Sequence, residues 1–251
     1  MSRWLEPLLD LLFPAICPVC RARTDARVHR PFCQTCWEAL PLLSDPGCRI
    51  CGRPFVGLPA GFACEACRRE PPPFDWARAV AAYRDGMREA IHALKYQGRT
   101  AVAAPLADLL ADAGARLWSA APVERDAPPG LPFEAIVPVP LHPARLAERG
   151  FNQAELLAAP CASRWRRPLL RRALVRTRPT RPQTELDAAA RRLNVAGAFT
   201  VARPGEIAGR RLLLVDDVLT TGATVWAAAR TLRQGGALSV GVLVLARVAD
   251  P

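Results

Sequence analysis

The stretch at 211–225, RLLLVDDVLTTGATV, is the strongest constraint that the sequence places on the fold. Four apolar residues at 212–215 lead directly into Asp216 and Asp217. A short, continuous apolar run is typical of a strand buried on both faces, as in a parallel sheet. Residues 225–234 are mostly good helix formers, and two glycines follow them. The stretch therefore predicts a buried strand with an acidic end, then a turn and a helix.

The turn between this strand and this helix is suited to binding a phosphate group. Ligands of open α/β sheets bind beyond the carboxyl ends of the strands. The start of a helix offers free N–H groups and the positive end of its dipole. Carboxylates accept hydrogen bonds from hydroxyl groups, so a ribose 5-phosphate fits the acids and the turn together. The turn residues are Thr220, Thr221, Gly222, Ala223 and Thr224.

The same stretch resembles the motif with which type I phosphoribosyltransferases bind 5-phosphoribosyl-1-pyrophosphate (PRPP). The motif is an apolar run, D-D/E, two residues and T-T/S-G-x-T, and every position matches. The resemblance implies that Asp216 and Asp217 are catalytic and hold the ribose 2- and 3-hydroxyls. It also implies that the turn 220–224 holds the 5-phosphate, with Val215 in the same site. A chance Thr/Gly turn after a buried strand is the alternative, but paired acids ahead of such a turn are rare.

Eight of the nine cysteines lie within residues 1–73 and form four C-x2-C pairs. The spacing C-x2-C-x12-C-x2-C occurs twice, so the segment contains an internal repeat. Two such pairs complete a tetrahedral Zn²⁺ site that leaves no position open for a substrate. We expect two structural zinc sites, one per repeat, although an interleaved pairing also satisfies the spacing. The cysteines are Cys17, Cys20, Cys33, Cys36, Cys48, Cys51, Cys64 and Cys67.

The cysteines and the start of the chain bear on the cellular compartment. A disulfide framework is the alternative to zinc, but it requires an oxidising compartment. The stretch at 1–14 contains two acids and no cleavage-site pattern, which is unlike a signal peptide. No apolar run approaches the ~20 residues of a membrane span. We therefore expect reduced, zinc-bound cysteines in a cytoplasmic protein.

Charge is distributed unevenly along the chain. The formal net charge is +11, and Lys95 is the only lysine. Residues 142–181 contain ten arginines and only two acids. Segment 1–73, by contrast, carries about −2 once eight thiolates and two Zn²⁺ are counted. An anionic partner is therefore expected, either a nucleic acid or a phosphorylated ligand, and the arginine-rich segment is the expected contact for a nucleic acid.

A proline-rich joint, EPPPF at 70–74, is a candidate domain boundary. We expect a zinc-binding module at 1–73 and a phosphoribosyltransferase-like domain at 74–251, each with its own core. Residues 76–99 predict a strand followed by an amphipathic helix that ends near Lys95. A single lysine in a chain so rich in arginine is suggestive, and we assign it to the binding of PRPP.

A second set of polar residues follows the strand predicted at 134–140. The loop after it carries His142, Arg145 and Arg149, and a loop that follows a parallel strand faces the ligand edge. In type I phosphoribosyltransferases the corresponding loop holds the pyrophosphate. The resemblance implies that the two arginines are catalytic and stabilise the departing pyrophosphate. His142 either contributes to PRPP binding or makes only a loop hydrogen bond.

Five patterns, taken in chain order, resemble the ComF family of competence and DNA-utilisation proteins, which includes ComFC-like and GntX-like members. They are the double CxxC module, a helix ending L-K-Y, V-P-V-P-L-H-x-x-R-x-x-x-R-G-F-N-Q, T-x-x-Q-x-x-L-x-x-x-x-R-x-x-N and the PRPP motif. The resemblance implies an α/β fold of the type I phosphoribosyltransferase kind, a parallel sheet flanked by helices, with a small N-terminal zinc-ribbon module that binds each metal through four cysteines. It also implies a flexible catalytic hood loop within 171–199. Matching residues of the two longer patterns include Gly150, Phe151, Asn152, Gln153, Thr180, Gln183, Leu186, Arg191 and Asn194, with Arg176 or Arg178 as the basic residue ahead of the second.

Three functions fit these features, and PRPP binding is expected under all of them. The first is a phosphoribosyltransferase, in which PRPP with Mg²⁺ loses pyrophosphate to an acceptor of unknown identity. The second is an accessory protein that binds single-stranded DNA in natural transformation or DNA utilisation, in contact with the competence machinery. Only Phe151 and Trp165 are available in the arginine-rich segment to stack on bases. The third is a regulator that senses PRPP without turnover.

Overall fold

The computed structural model describes residues 15–24, 31–43, 47–55, 61–119, 131–179 and 197–248. Two sequence-based predictions fall outside these ranges: the pattern residues at 180–194 and the greater part of the expected hood loop. Among the described residues, no helix combines the length and the apolar character that crossing a membrane requires.

The fold is built on a parallel sheet whose two central strands are buried on both faces. The strands are β1 (Trp76–Ala82), β2 (Ala135–Pro138), β3 (Leu174–Arg176), β4 (Phe199–Val201), β5 (Arg211–Leu219) and β6 (Ser239–Arg247). Four of them form a parallel sheet in the order β1-β6-β5-β2, and β3 pairs with β4 in an antiparallel ribbon. The apolar runs of β5 and β6 are buried on both faces because these strands are central. The predicted parallel sheet is confirmed.

Helices cover both faces of this sheet. They are α1 (Gln34–Glu38), α2 (Glu65–Arg69), α3 (Asp85–Tyr96), α4 (Ala103–Ser119), α5 (Pro143–Arg149), α6 (Gln153–Trp165), α7 (Pro204–Ile207) and α8 (Ala223–Gln234). One face packs on α3, α4 and α6, and the other packs on α8 and the β3–β4 ribbon. Alternate residues of β5 enter the two cores: Leu213 and Val215 face α3, and Leu212 and Leu214 face α8.

The register brings the carboxyl ends of the strands to one edge. Pro138 of β2 lies beside Val215 of β5. Leu219 of β5 and Ala82 of β1 both lie beside Arg247 of β6. The loops that follow β1, β2 and β5 therefore open at the same edge, which is the ligand edge that the sequence predicts.

The zinc-binding segment shares a core with the rest of the chain, so the expectation of two separate cores is wrong. Phe32 and Leu40 are buried in the same cluster as Met87, Ile91 and Leu94 of α3. The domain boundary near residue 73 stays a prediction, but the residues on its two sides pack together.

The open edge of β1 is the physical reason for this packing. An edge strand presents unpaired N–H and C=O groups that a protein must cover. The Leu43 N–H donates to the Val80 carbonyl at 2.9 Å, and the Ala77 N–H donates to the Ile50 carbonyl at 2.6 Å. A Cβ at Gly52 would lie 2.4 Å from the Ala77 carbonyl oxygen, so only glycine allows this approach. The zinc-binding segment thus covers the edge of the sheet.

Phe32→Ala tests the shared core. The side chain is fully buried, and a Phe→Ala change in a core costs about 3–5 kcal/mol. We expect a single cooperative unfolding transition whose free energy falls by about that amount, measured by urea denaturation with circular dichroism and tryptophan fluorescence. Phe62→Ala is the control and should cost less, because Phe62 packs only partly buried against the second cysteine cluster. Two transitions, of which Phe32→Ala shifts only one, would contradict the shared core.

Candidate functional site

Helix α8, which follows β5, begins without a side-chain cap. Gly222 precedes it with φ of 81°, a left-handed conformation that favours glycine, and offers no capping group. Thr221 is exposed, and Thr220 and Thr224 are half-buried. Ala223 is buried, so it packs and leaves only its backbone for a ligand. The uncapped start of this twelve-residue helix, flanked by hydroxyl groups, offers the donors that a phosphate needs.

Asp216 and Asp217 end the buried run of β5 and lie on opposite faces of the sheet, because successive strand residues alternate. On the face covered by α3 and α6, Asp217 forms an ion pair with Lys95 and accepts a hydrogen bond from Gln153 Nε2 at 3.4 Å. On the other face, Asp216 Oδ1 accepts the N–H of Asp217 at 2.9 Å. The two acids are 7% and 2% exposed, respectively.

The environments of the two acids push their pKa values apart. Burial raises the pKa of Asp216 well above its ordinary value, and the Asp217 carboxylate raises it further. Burial acts on Asp217 in the same direction, but the Lys95 ammonium more than offsets it, so the pKa of Asp217 is lowered. Burial would lower the pKa of Lys95, but the two carboxylates raise it. At neutral pH Asp217 is a carboxylate already neutralised by a cation, whereas Asp216 takes up a proton more readily.

The loop after β2 forms α5, and its two arginines are held differently. Arg149 donates to Gln153 Oε1 at 2.6 Å, and its guanidinium carbon lies 5.5 Å from the centre of the Tyr96 ring. Arg145 instead donates to Glu148 at 3.2 Å in an exposed ion pair, which contributes little to stability. Arg149 is therefore fixed between α3 and α6, while Arg145 can exchange its partner for a ligand at small cost.

His142 and Asn152 cap the two helices of this loop. His142 Nδ1 accepts the N–H of Ala144 at 3.2 Å at the start of α5. This contact is the loop hydrogen bond that stands as the alternative to ligand binding. Asn152 accepts the N–H of Ala154 at 3.0 Å and donates to the Val139 carbonyl at 3.1 Å. The start of α6 is thereby tied to the end of β2.

Two further residues lie near the acids although the sequence analysis assigns them no site role. Tyr83 follows β1, and burial raises the pKa of its hydroxyl while Lys95 lowers it and Asp217 raises it. Arg176 ends β3, and burial lowers its pKa while Asp216 raises it. Tyr83 therefore lies on the Asp217 side and Arg176 on the Asp216 side. Arg176 belongs to the arginine-rich segment and precedes the second long pattern, but neither signal places it beside Asp216, and Tyr83 has no sequence signal.

The paired cysteines gather into two clusters, one per repeat. In each cluster the four Sγ atoms lie within 4.8 Å of one another. The sulfurs of Cys20 and Cys33 are 3.7 Å apart, and those of Cys51 and Cys64 are 3.8 Å apart. Four thiolates about 2.3 Å from Zn²⁺ form a tetrahedron with edges of about 3.8 Å, so this spacing fits zinc. The pairing is sequential: Cys17, Cys20, Cys33 and Cys36 in the first cluster, and Cys48, Cys51, Cys64 and Cys67 in the second.

The second cluster lies against the sheet beside two arginines. Burial alone would raise the pKa of Cys48, but backbone N–H groups, including that of Cys64 at 3.3 Å, lower it to about 6. Arg247, at the end of β6, donates to the Cys51 carbonyl at 2.6 Å. Burial lowers the pKa of Arg78 while the Cys48 and Cys51 sulfurs raise it. A Zn²⁺ held by four thiolates carries a charge of about −2, which these arginines offset.

Comparisons with known proteins agree with both halves of this description. A family model described as a double zinc ribbon domain matches residues 8–68, and one described as a phosphoribosyl transferase domain matches residues 168–251. The chain is 36% identical to DNA utilization protein YhgH of Escherichia coli (strain K12), over 94% of this chain and 99% of that protein. It is 34% identical to Competence protein F of Haemophilus influenzae, over 86% of this chain and 90% of that protein. It is 29% identical to Competence protein ComFC of Bacillus subtilis, over 86% and 83%. The expected combination of zinc ribbon and phosphoribosyltransferase fold is confirmed.

Metal analysis tests the two clusters. We expect two zinc ions per chain by mass spectrometry of the purified protein, with all cysteines reduced, because each cluster supplies a complete set of four thiolates. Cys20→Ser and Cys51→Ser should each lower the content to about one zinc ion. Cys161→Ala is the matched control, because Cys161 is buried outside both clusters, and it should keep two. One zinc ion or none in the reduced wild-type protein would contradict the assignment.

Lys95→Met should destabilise the protein in a pH-dependent way, by about 3 kcal/mol near pH 7, because it leaves Asp217 buried without a partner. The pair raises the pKa of Lys95 above 10.5, so its contribution is complete below pH 10.5 and is lost as pH rises through the folded-state value. The pKa of Asp217 is lowered below 3.8, so its contribution is present above that value and is lost as pH falls through the folded-state value.

Urea denaturation across a pH series measures this difference. The gap between wild type and Lys95→Met should be flat near neutrality and should shrink above pH 10.5. Arg84→Met, which removes an exposed partner of Asp85 at the start of the same helix, is the control and should cost less than about 1 kcal/mol. A gap that does not change at alkaline pH would argue against the ion pair.

Proposed function

The chain belongs to the ComF family of competence and DNA-utilisation proteins, and from that premise we propose that it binds PRPP with Mg²⁺ and serves natural transformation or DNA utilisation in the cytoplasm. One observation carries the PRPP proposal: two buried carboxylates, on opposite faces of β5, stand directly ahead of an uncapped helix start. The carboxylates, which can accept from sugar hydroxyls, are therefore adjacent to the N–H groups at the start of α8, which can donate to a phosphate. The names of the relatives support the cellular role, and contact with the competence machinery is proposed as a part of that role.

Ribose 5-phosphate is bound by β5 and the turn after it. Asp216 and Asp217 accept hydrogen bonds from the 2- and 3-hydroxyls. The 5-phosphate is bound by the N–H groups and hydroxyls of the turn 220–224 and by the positive end of α8. Val215 is fully buried, and its carbonyl accepts the Val139 N–H at 2.9 Å, so it supports the acids by packing.

The pyrophosphate is bound by cations from α3 and α5. The side chain of Arg149 is already held by Gln153, and the side chain of Arg145 leaves Glu148 to bind the same pyrophosphate. Lys95 turns from Asp217 toward the pyrophosphate once the ribose hydroxyls meet that carboxylate. His142, at the start of α5, lines the same loop. Mg²⁺ bound with PRPP neutralises part of the charge of the pyrophosphate.

Transfer of the phosphoribosyl group is the reaction that this arrangement supports. An acceptor attacks the anomeric carbon, the bond from that carbon to the pyrophosphate breaks, and its electron pair leaves with the pyrophosphate. Arg145 and Arg149 stabilise the charge of the departing group, and the two acids orient the ribose. A pyrophosphate-release assay with nucleobases and single-stranded DNA as acceptors separates transfer from binding without turnover. PRPP binding with no release for any acceptor would favour a PRPP-sensing regulator.

Asp216→Asn combined with Asp217→Asn should abolish PRPP binding while the protein stays folded, with a stability lowered by the loss of the Lys95 ion pair. The amides keep the volume but lose the charge, and hydrogen bonds to charged groups contribute about 1.5–3 kcal/mol each, so affinity should fall by about hundredfold or more. Calorimetry with PRPP and Mg²⁺ measures the affinity, and thermal melting checks the fold. Asp112→Asn is the control, because Asp112 pairs with Arg164 at an exposed position on α4. Normal PRPP binding by the double variant would contradict the proposed site.

A second proposal, binding of single-stranded DNA, is favoured by the course of the arginine-rich segment. After α6 the chain runs alongside β2: the Ile136 N–H donates to the Pro168 carbonyl at 2.9 Å, and the Leu170 N–H donates to the Ile136 carbonyl at 2.8 Å. The chain then enters β3, which ends on the Asp216 side of the site. An arginine path therefore follows the outer edge of the sheet toward the acids. It consists of Arg166, Arg167, Arg171, Arg172 and Arg176.

The arginine path can exchange its present partners for phosphates. Arg166, Arg171 and Arg172 are exposed. Arg171 pairs with Glu155 at 2.7 Å, but both side chains are partly exposed, and a pair of this kind contributes little. A DNA phosphate can therefore replace the carboxylate, with release of counterions from the DNA. Because the path ends near the acids, PRPP and DNA compete in part.

Arg166→Gln, Arg167→Gln, Arg171→Gln and Arg172→Gln together should weaken DNA binding and leave PRPP binding intact. Fluorescence anisotropy with a labelled oligothymidine at several salt concentrations measures both affinity and its salt dependence. The logarithmic salt slope should become shallower by about 0.7 for each phosphate that the variant no longer neutralises. The matched control replaces Arg23, Arg49, Arg68 and Arg69 with glutamine, which removes the same charge from exposed positions of the zinc-binding segment. An equal decrease of DNA affinity in the two quadruple variants would refute the path.

A further inference from the structure

A chain of contacts crosses the site from Arg149 to Lys95. Arg149 Nη1 donates to Gln153 Oε1 at 2.6 Å, and Gln153 Nε2 donates to Asp217 Oδ1 at 3.4 Å. The other oxygen of Asp217 pairs with Lys95. Gln153 is 6% exposed, and a buried amide has to be satisfied by protein partners. Here the two partners belong to different halves of the proposed PRPP site.

A glutamine is chemically suited to this position. A guanidinium can only donate hydrogen bonds, and an ionised carboxylate can only accept them. The amide offers an oxygen to Arg149 and an NH₂ group to Asp217, so its orientation is fixed by the charges on either side. A glutamate could not donate to Asp217, and an apolar residue could meet neither partner. Among side chains of this length, glutamine is the uncharged one whose end group both accepts from Arg149 and donates to Asp217.

The local backbone holds the glutamine between its partners. Gly150 ends α5 in the left-handed conformation, with φ of 81°, so the chain reverses within a few residues. Asn152 caps α6, and Gln153 is the first residue of that helix. Arg149 is also contacted by the Tyr96 ring on α3. The guanidinium is thus held from two elements, whereas Arg145 pairs with an exposed carboxylate of its own helix.

We infer that Gln153 is a positioning residue that couples the pyrophosphate half of the site to the ribose half. This inference rests on the proposed binding of PRPP. Through the amide, the orientation of Arg149 fixes that of the Asp217 carboxylate, and the reverse holds as well. Occupation of one half therefore prepares the other half for the rest of the same ligand.

A double-mutant cycle with a ligand fragment tests the coupling. Ribose 5-phosphate has no pyrophosphate, so it has nothing to bind to Arg149 in the proposed pose. Arg149→Met should nevertheless weaken its binding several-fold in the wild-type background and have no further effect in Gln153→Met. Gln153→Met alone should weaken ribose 5-phosphate binding on the order of tenfold. Gln234→Met, at an exposed position at the end of α8, is the control and should bind as wild type.

The outcomes of the cycle separate the coupling from the proposed function. Calorimetry measures ribose 5-phosphate and PRPP with Mg²⁺ for each variant. Normal PRPP binding by the wild type, combined with additive effects of Arg149→Met and Gln153→Met, overturns the coupling and leaves the proposed function standing. Binding of neither ligand by the wild type overturns the proposed function, and the coupling is then decided in the free protein.

Nuclear magnetic resonance of the free protein provides that decision. The chain has five glutamines, so selective ¹⁵N-glutamine labelling gives five pairs of side-chain NH₂ signals, and Gln153→Met identifies the pair that belongs to Gln153. We expect its NH₂ protons to exchange with water more slowly than those of Gln234 and to shift in both Arg149→Met and Asp217→Asn. Fast exchange, or a signal that either variant leaves in place, overturns the coupling.

Discussion

The buried ion pair between Lys95 and Asp217 is the interaction on which the site depends. A carboxylate that is 2% exposed is unstable without a partner, and its partner comes from a helix early in the chain. Helix α3 must therefore lie against β5, and apolar residues such as Leu94 keep it there. Phe32 of the zinc-binding segment belongs to the same cluster. The zinc-binding segment therefore packs on the helix that carries the partner of Asp217.

The open edge of β1 explains why a zinc-binding segment accompanies a transferase fold. Four thiolates complete each metal site, so the metals have no position for a substrate. They instead hold the segments that pair with Val80 and Ala77, and these contacts satisfy backbone groups that would otherwise stay unpaired. Next to the residue that pairs with Ala77, the Cys51 carbonyl accepts a hydrogen bond from Arg247 of β6. The zinc-binding segment therefore contacts two strands of the sheet that carries the acids.

Local patterns predicted the features that consecutive residues encode. The apolar run ahead of Asp216 predicted β5, and the C-x2-C pairs predicted the two clusters, because burial of a strand and spacing of ligands are both local properties. Contacts between distant segments were not predictable in this way. The sequence predicts that Lys95 binds PRPP, but its pairing with Asp217 depends on how α3 lies against the sheet. The proline-rich joint predicts separate cores, because it does not show that the segment before it covers β1. Gln153 belongs to one of the two longer sequence patterns, but such a pattern does not show that its side-chain amide contacts Arg149 and Asp217.

In the proposed site, the two acids near the end of β5 also determine which sugar is accepted. Each of the two buried acids in this proposed site accepts from one hydroxyl, so a sugar satisfies both only with two neighbouring hydroxyls. Ribose has such a diol. Deoxyribose lacks the 2-hydroxyl and would leave one buried carboxylate without its donor, at a cost of about 1–3 kcal/mol. A DNA strand bound along the proposed arginine path would be held through its phosphates, and its sugars would not satisfy the two acids.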